Sequence, residues 1–410
     1  MNRLYNFLGF LLGVGLFGCS NETPTPTPIP TPIVYDCEDN PNACDLATAN
    51  NNFGFKLFQT LHEQDPAENI FLSPLSVSTA LSMTLNGADG NTKTEMEQAM
   101  ERIELDVETV NETYQYVLNA LPQLDPLIQL NIANSIWKDI NFGAYQSFLD
   151  VNQEFYNSEV QTLDFKDPLA INTINDWVKD NTEGKIEEML QEIPPNAVMY
   201  LINAIYFKGD WRFPFDPENT SMQSFTLADN TTKQVDMMRY DEEIYLPFFA
   251  NNQMSMVDLP YGDSIYSMSL ILPHPSSSLD EVIASLSAEN WENWIAGLYP
   301  NGTVLQLPKF KMEYEKKLNE TLIAMGMVEA FDEGKANFGK LGPGVLWISM
   351  VKHKAVLEVN EQGSEAAAVT VVEVSNESAA PAMIFDRPFL LAIRENRTNS
   401  VLFLGKVMEP

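Results

Sequence analysis

Hydrophobic spacing divides the chain into helical and extended stretches that follow one another without a βαβ rhythm. Phe53, Leu57 and Leu61 recur every four residues, so the folded part opens with a helix. Ser73 suits an N-cap and Pro74 a first helical turn, and Val77, Leu81 and Leu85 form the stripe of a second helix ending near Gly87. Thr92 and Glu95 have the spacing of a capping box for a third. Ile171, Ile174, Trp177 and Val178 begin an amphipathic helix that runs towards Leu190. Extended runs are predicted at Asn131–Trp137, Ile265–Pro273, Val304–Phe310, Lys354–Val359, Phe389–Ile393 and Val401–Leu404. Another, Tyr200–Trp211, is apolar almost throughout, with Asn203 set inside it. This mixture of helices and antiparallel strands gives the class α+β.

The stretch from Val359 to Pro388 does not settle into either pattern. Ser364, Ala366, Ala368, Thr370, Val372 and Val374 are all small or β-branched, while the intervening positions carry Glu365 and Glu373. That is a strand with one buried face and one wetter face. Yet Glu365-Ala366-Ala367-Ala368 favours helix, and Ser375, Asn376, Glu377 and Ser378 read as exposed loop. Such a segment is built to live in two states, as a loop first and as a strand later.

The residues around it carry a resemblance. Glu361-Gln-Gly363-Ser364-Glu365-Ala366-Ala367-Ala368-Val369-Thr370 resembles the hinge of the serpins, and Phe385-Asp-Arg-Pro-Phe-Leu-Leu resembles the signature that follows their reactive loop. The block Asn69–Met83 is similar to the serpin helix under the central sheet, and Tyr200–Trp211 to the family's central strand, with Trp211 near the point where the loop enters. The resemblance covers Asp45 to Pro410. It implies the α+β serpin fold: a large central, mostly antiparallel sheet with further sheets, eight to nine helices and an exposed reactive-centre loop at about 361–384. It also implies a mechanism, in which a protease cleaves the loop and the loop's N-terminal part inserts into the central sheet, trapping the acylated enzyme. Small hinge residues mark inhibitors within the family, and Val369 is slightly larger than the usual alanine.

The resemblance implies a scissile bond sixteen residues beyond Glu361, and counting back eight from Phe385 reaches the same place, Glu377–Ser378, which implies a glutamate-preferring serine protease. Cleavage at Val374 or Asn376, by elastase-like or broader enzymes, is the competing reading, and the resemblance allows cysteine proteases as a further target class. The resemblance also implies a hydrogen-bonded shutter of Ser73, Ser76, Asn203 and His353 beneath the opening sheet, structural rather than catalytic. The alternative function is a non-inhibitory serpin-fold binding protein.

Composition narrows the partners. The 410 residues include 57 acidic and 24 basic side chains, a net charge of −33, which argues against nucleic-acid binding. The only histidines are His62, His274 and His353, without H-E-x-x-H spacing, and no nucleophile-elbow, P-loop or dinucleotide fingerprint occurs. The chain is not expected to be an enzyme or to need a cofactor or metal, and it is expected to be a monomer.

The N-terminus predicts export. Arg3 precedes an apolar run from Leu4 to Gly18 that is short for a membrane span and suits a signal peptide over residues 1–18. Leu16-Phe17-Gly18-Cys19 resembles a bacterial lipobox, with Cys19 lipidated, although Phe17 is bulkier than usual and an ordinary cleaved signal is the alternative. Residues 19–44 then form a lipid-anchored stalk rich in Thr-Pro repeats. Cys37 and Cys44 remain as an even pair, read either as a disulfide or as two free thiols. The expected location is outer-membrane lipid-anchored, periplasmic or on the cell surface, with the serpin domain over residues 45–410.

Overall fold

Helix α1 (Pro41–Gln64) starts with proline in its first turn and buries Phe53, Leu57, Phe58 and Leu61 along one stripe. It begins ahead of the expected Asp45 start and takes in Cys44, which is disulfide-bonded to Cys37 in the turn before it. Just upstream, Tyr35 is buried and stacks on Tyr116. The computed structural model describes residues 35–102, 105–364 and 382–410.

Among these residues the chain continues as β1 (Ile70–Leu72), α2 (Pro74–Leu85), α3 (Gly90–Ala99), α4 (Val107–Ala120), β2 (Ile128–Asp139) and α5 (Gln146–Tyr156). Its middle holds β3 (Glu159–Leu163), α6 (Ala170–Asn181), β4 (Met199–Asp210), β5 (Ser221–Thr226), β6 (Thr232–Arg239), β7 (Ile244–Ala250), β8 (Met254–Pro260) and β9 (Tyr266–Pro273). Then come α7 (Leu279–Ala284), α8 (Ala288–Ala296), β10 (Tyr299–Pro308), β11 (Phe310–Lys317), α9 (Asn319–Ala324) and β12 (Lys352–Val359). The chain closes with β13 (Gly363–Ser364), β14 (Ala382–Ile384), β15 (Phe389–Glu395) and β16 (Val401–Val407). The class is α+β, as expected.

Among the described residues the largest sheet has ten strands in the order β1-β16-β15-β9-β8-β7-β10-β6-β5, with β14 parallel to β10. Strands β15 and β16 are buried at every position, which is why they read as continuous apolar runs. The second sheet, β13-β4-β2-β3, positions the candidate site. Helix α2 packs against β4, and α6 lies on β2 and β4. Covered on both sides, β4 has a run of buried residues from Ile202 to Tyr206. Strands β11 and β12 form a separate antiparallel pair.

Two local expectations fail for identifiable reasons. Thr92 and Glu95 do not cap α3, whose N-cap is Asp89. Instead Thr92 Oγ1 accepts from the Asn337 amide, and Glu95 Oε2 accepts from the amides of Val328 and Glu329. The capping box belongs to α7, between Ser278 and Glu281. The helix expected to run towards Leu190 ends at Asn181, where Glu183 and Gly184 take φ of 50° and 75° and the Gly184 amide turns back to Lys179 O at 2.8 Å.

Candidate functional site

The site is the seam between β4 and β12, and its upper corner is the tightest part. After β12 the chain turns through Asn360–Gln362 into β13, which pairs antiparallel with the end of β4, Gly363 against Asp210 and Ser364 against Gly209. Gly363 has φ +143°, and a Cβ there would lie 2.2 Å from Gly209 O, so only glycine lets the two backbones approach this closely. Trp211 holds the turn twice: its amide donates to Gln362 O at 2.8 Å and its indole Nε1 to Asn360 O at 3.0 Å. The indole also stacks on Tyr261, whose hydroxyl is 3.1 Å from Ser364 Oγ.

Glu361 is anchored on both its backbone and its carboxylate. The Phe215 amide donates to its carbonyl at 2.8 Å, Thr220 Oγ1 donates to Oε1 at 2.8 Å, and Lys309 Nζ lies 3.0 Å from Oε2. Burial pushes the carboxyl up, but Lys309, the backbone and Thr220 together outweigh it and hold the group below its ordinary range. Glu361, Gln362 and Gly363 are thus clamped to the end of β4 and to Trp211, Phe215, Thr220 and Lys309.

Below this corner no ladder joins β4 to β12 among the described residues. The strand edges are separated by a cavity of about 150 Å³ whose lining includes Ser76, Leu81, Tyr200, Asn203, Ile348 and His353. The segment after α6 covers the seam: Met189 and Leu190 pack with Trp137, Ile174, Val178 and Ile202, with Met350 and Val356 beside them. Lys354 Nζ ties the same segment to β12 by donating to Glu188 O at 3.2 Å.

The shutter residues meet only in part. The Ser73 amide donates to His353 Nε2 at 3.2 Å, and Ser73 Oγ accepts from the Ser76 amide at 3.1 Å. Nε2 as acceptor makes the ring neutral, and burial pushes its pKa down to about 4. Asn203 does not join them. Its Nδ2 donates to Asn134 Oδ1 at 2.8 Å, directly across the β2–β4 ladder, and its Oδ1 has no partner among the described residues. Asn134 was missed in the sequence, although it too is a polar residue inside an extended run. Glu365, Ala366, Ala367, Ala368, Val369 and Thr370, the Glu377–Ser378 bond and Cys19 lie outside the described residues.

A sequence model described as Serpin (serine protease inhibitor) matches residues 48–410. The chain belongs to the serpin family. This serpin is 34% identical over 380 residues to the leukocyte elastase inhibitor of Xenopus laevis, covering 89% of this chain and 99% of that one. Among solved structures it is similar to the thermophilic serpin tengpin in its native state, at TM-score 0.81 and 34% identity, over 89% of this chain and 94% of the other. It is equally similar in fold to human thyroxine-binding globulin in complex with thyroxine, at TM-score 0.82 and 31% identity, over 90% of this chain and 99% of the other. The relatives therefore include both an inhibitor and a binding protein.

Proposed function

We propose that this serpin is an irreversible suicide-substrate inhibitor of serine proteases, with cysteine proteases as a further target class. The observation that carries the reading is the seam itself. The hinge is clamped at one corner of β4, while below it the β4 and β12 edges carry no shared ladder. Two facing strand edges can each give a new strand hydrogen bonds. Roughly ten such bonds at about 0.5–1.5 kcal/mol each give on the order of 10 kcal/mol in favour of insertion.

In the reaction, the protease serine Oγ attacks the Glu377 carbonyl carbon, the Glu377–Ser378 peptide bond breaks, and the Ser378 amine leaves with a proton donated by the protease's own acid. The ester that remains links loop and enzyme. Loop residues from Glu365 onward then enter the seam, Ser364 already being paired to Gly209, and Met189 and Leu190 must give way. Small side chains at Ala366, Ala368 and Thr370 keep the inward face free of unpaired charge, which would cost several kcal/mol. The intact state is held by a kinetic barrier rather than by lowest free energy.

The similarity to thyroxine-binding globulin favours a second reading, a serpin-fold binding protein that does not trap protease. The N-terminal sequence adds export and a lipid tether at Cys19 to either reading, and Cys19→Ser should release the protein from membranes. The test of the first reading is a denaturing gel after mixing the chain with a glutamyl endopeptidase and, separately, with an elastase. A band at the summed mass that survives boiling supports it, and a released peptide starting at Ser378 assigns the bond. Clean cleavage without complex by both enzymes, under conditions where the cleaved loop is complete, favours the binding protein.

A further inference from the structure

The cavity between β4 and β12 has the features of a ligand site. Its volume of about 150 Å³ is that of an apolar cavity able to take a benzene-sized molecule. Leu81, Leu201, Ile348 and Met350 contribute apolar walls. Two of the lining residues leave polar atoms buried and unused: Asn203 Oδ1, an acceptor, and the Tyr200 hydroxyl, neither with a partner among the described residues. A buried acceptor with no donor costs free energy that a ligand N–H or O–H would recover. The charged residues of the lining do not call for an anion. Lys352 and Lys354 share Glu315 at 2.6 and 3.3 Å, and the His353 ring is neutral with Nε2 occupied by the Ser73 amide.

We propose that this cavity binds a small neutral aromatic molecule with a single N–H or O–H donor, the ring lying against Leu81, Leu201, Ile348 and Met350 and the donor reaching Asn203 Oδ1. The site would also report on inhibition, a step that rests on the proposed function. An occupant in the seam competes for the space an inserting loop needs, so bound ligand should divert trapping towards simple cleavage of the loop.

Indole and its oxygen analogue benzofuran, which lacks the N–H, are the probes. Calorimetric titration of the full chain should show saturable binding of indole at one site. Ala80→Leu, which fills the cavity from α2, should weaken both probes tenfold or more. Asn203→Ala should weaken indole by about five- to tenfold while leaving benzofuran nearly unchanged. No saturable binding up to the solubility of indole, or binding indifferent to Ala80→Leu, would overturn the proposal, as would equal losses of both probes in Asn203→Ala. Complex formation with protease in the absence of probe is measured alongside. Trapping without probe binding rejects the cavity site alone, and probe binding without trapping rejects the inhibitory reading alone.

Discussion

Gly363 and Gly209 meet backbone to backbone at the top of the seam, so closely that a Cβ on Gly363 would sit 2.2 Å from Gly209 O and 2.7 Å from Asp210 Cα. Neither of those atoms can swing away as a flexible side chain could. Gly363→Ala should therefore break the β13–β4 pairing and cost about 1–3 kcal/mol, from the clash and the positive φ together. Denaturant unfolding measures the loss, and a midpoint within error of the parent would show that the corner relaxes freely.

Glu361 joins the same corner to Lys309 and Thr220. Lys309 is partly exposed, so the ion pair contributes no more than about 1 kcal/mol. Glu361→Gln, which keeps an acceptor for Thr220, should lose about that much, and Glu361→Ala should lose more because the Thr220 hydroxyl is also left without its carboxylate. Chromatography after mild heating should show faster self-association in the order Ala, Gln, parent. Equal rates for the two variants would mean that the Thr220 bond contributes nothing.

How much of this was legible in the sequence depends on how local the cause is. Ser73 and Pro74 announce α2 because cap and first turn lie within a few residues, and Ser73 does accept from Ser76. Thr92 and Glu95 carry the same kind of signal and mislead, because their partners Asn337, Val328 and Glu329 lie more than two hundred residues away. The end of α6 was legible in principle, since Gly184 is an ordinary stop signal. The Asn134–Asn203 bond was not, because only the β2–β4 register sets the two opposite each other. Nor was the anchoring of Tyr35 on Tyr116, a contact between the chain's beginning and α4.

His353 gives the protein a defined acid sensitivity. Above pH 6.5 the ring is neutral in the folded and unfolded chain alike. Between 6.5 and about 4 the unfolded chain binds a proton that the buried ring does not, so stability falls as pH falls through that window. At ~1.4 kcal/mol per pH unit, the loss from this group reaches about 2 kcal/mol at pH 5. His353→Gln should flatten the profile between pH 7 and 5 relative to the parent. A slope as steep as the parent's would assign the acid sensitivity to other groups.

Thr370 lies on the loop face expected to turn inward. Thr370→Arg should leave the fold and the cleavage rate intact while converting inhibitor to substrate, because an unpaired charge entering the sheet costs several kcal/mol. The ratio of trapped to cleaved protein on a denaturing gel measures this, and a variant that still traps protease as well as the parent would reject insertion along this face.

The central claim is that the seam between β4 and β12 accepts the cleaved loop as a strand. Thermal unfolding of the intact chain and of the chain nicked in its loop tests it most directly, with no need to know the natural protease. An added strand worth on the order of 10 kcal/mol, at about 1–2 °C per kcal/mol for a domain of more than 350 residues, should raise the midpoint by roughly 10–20 °C. A nicked protein that unfolds at the same temperature as the intact one would contradict the account.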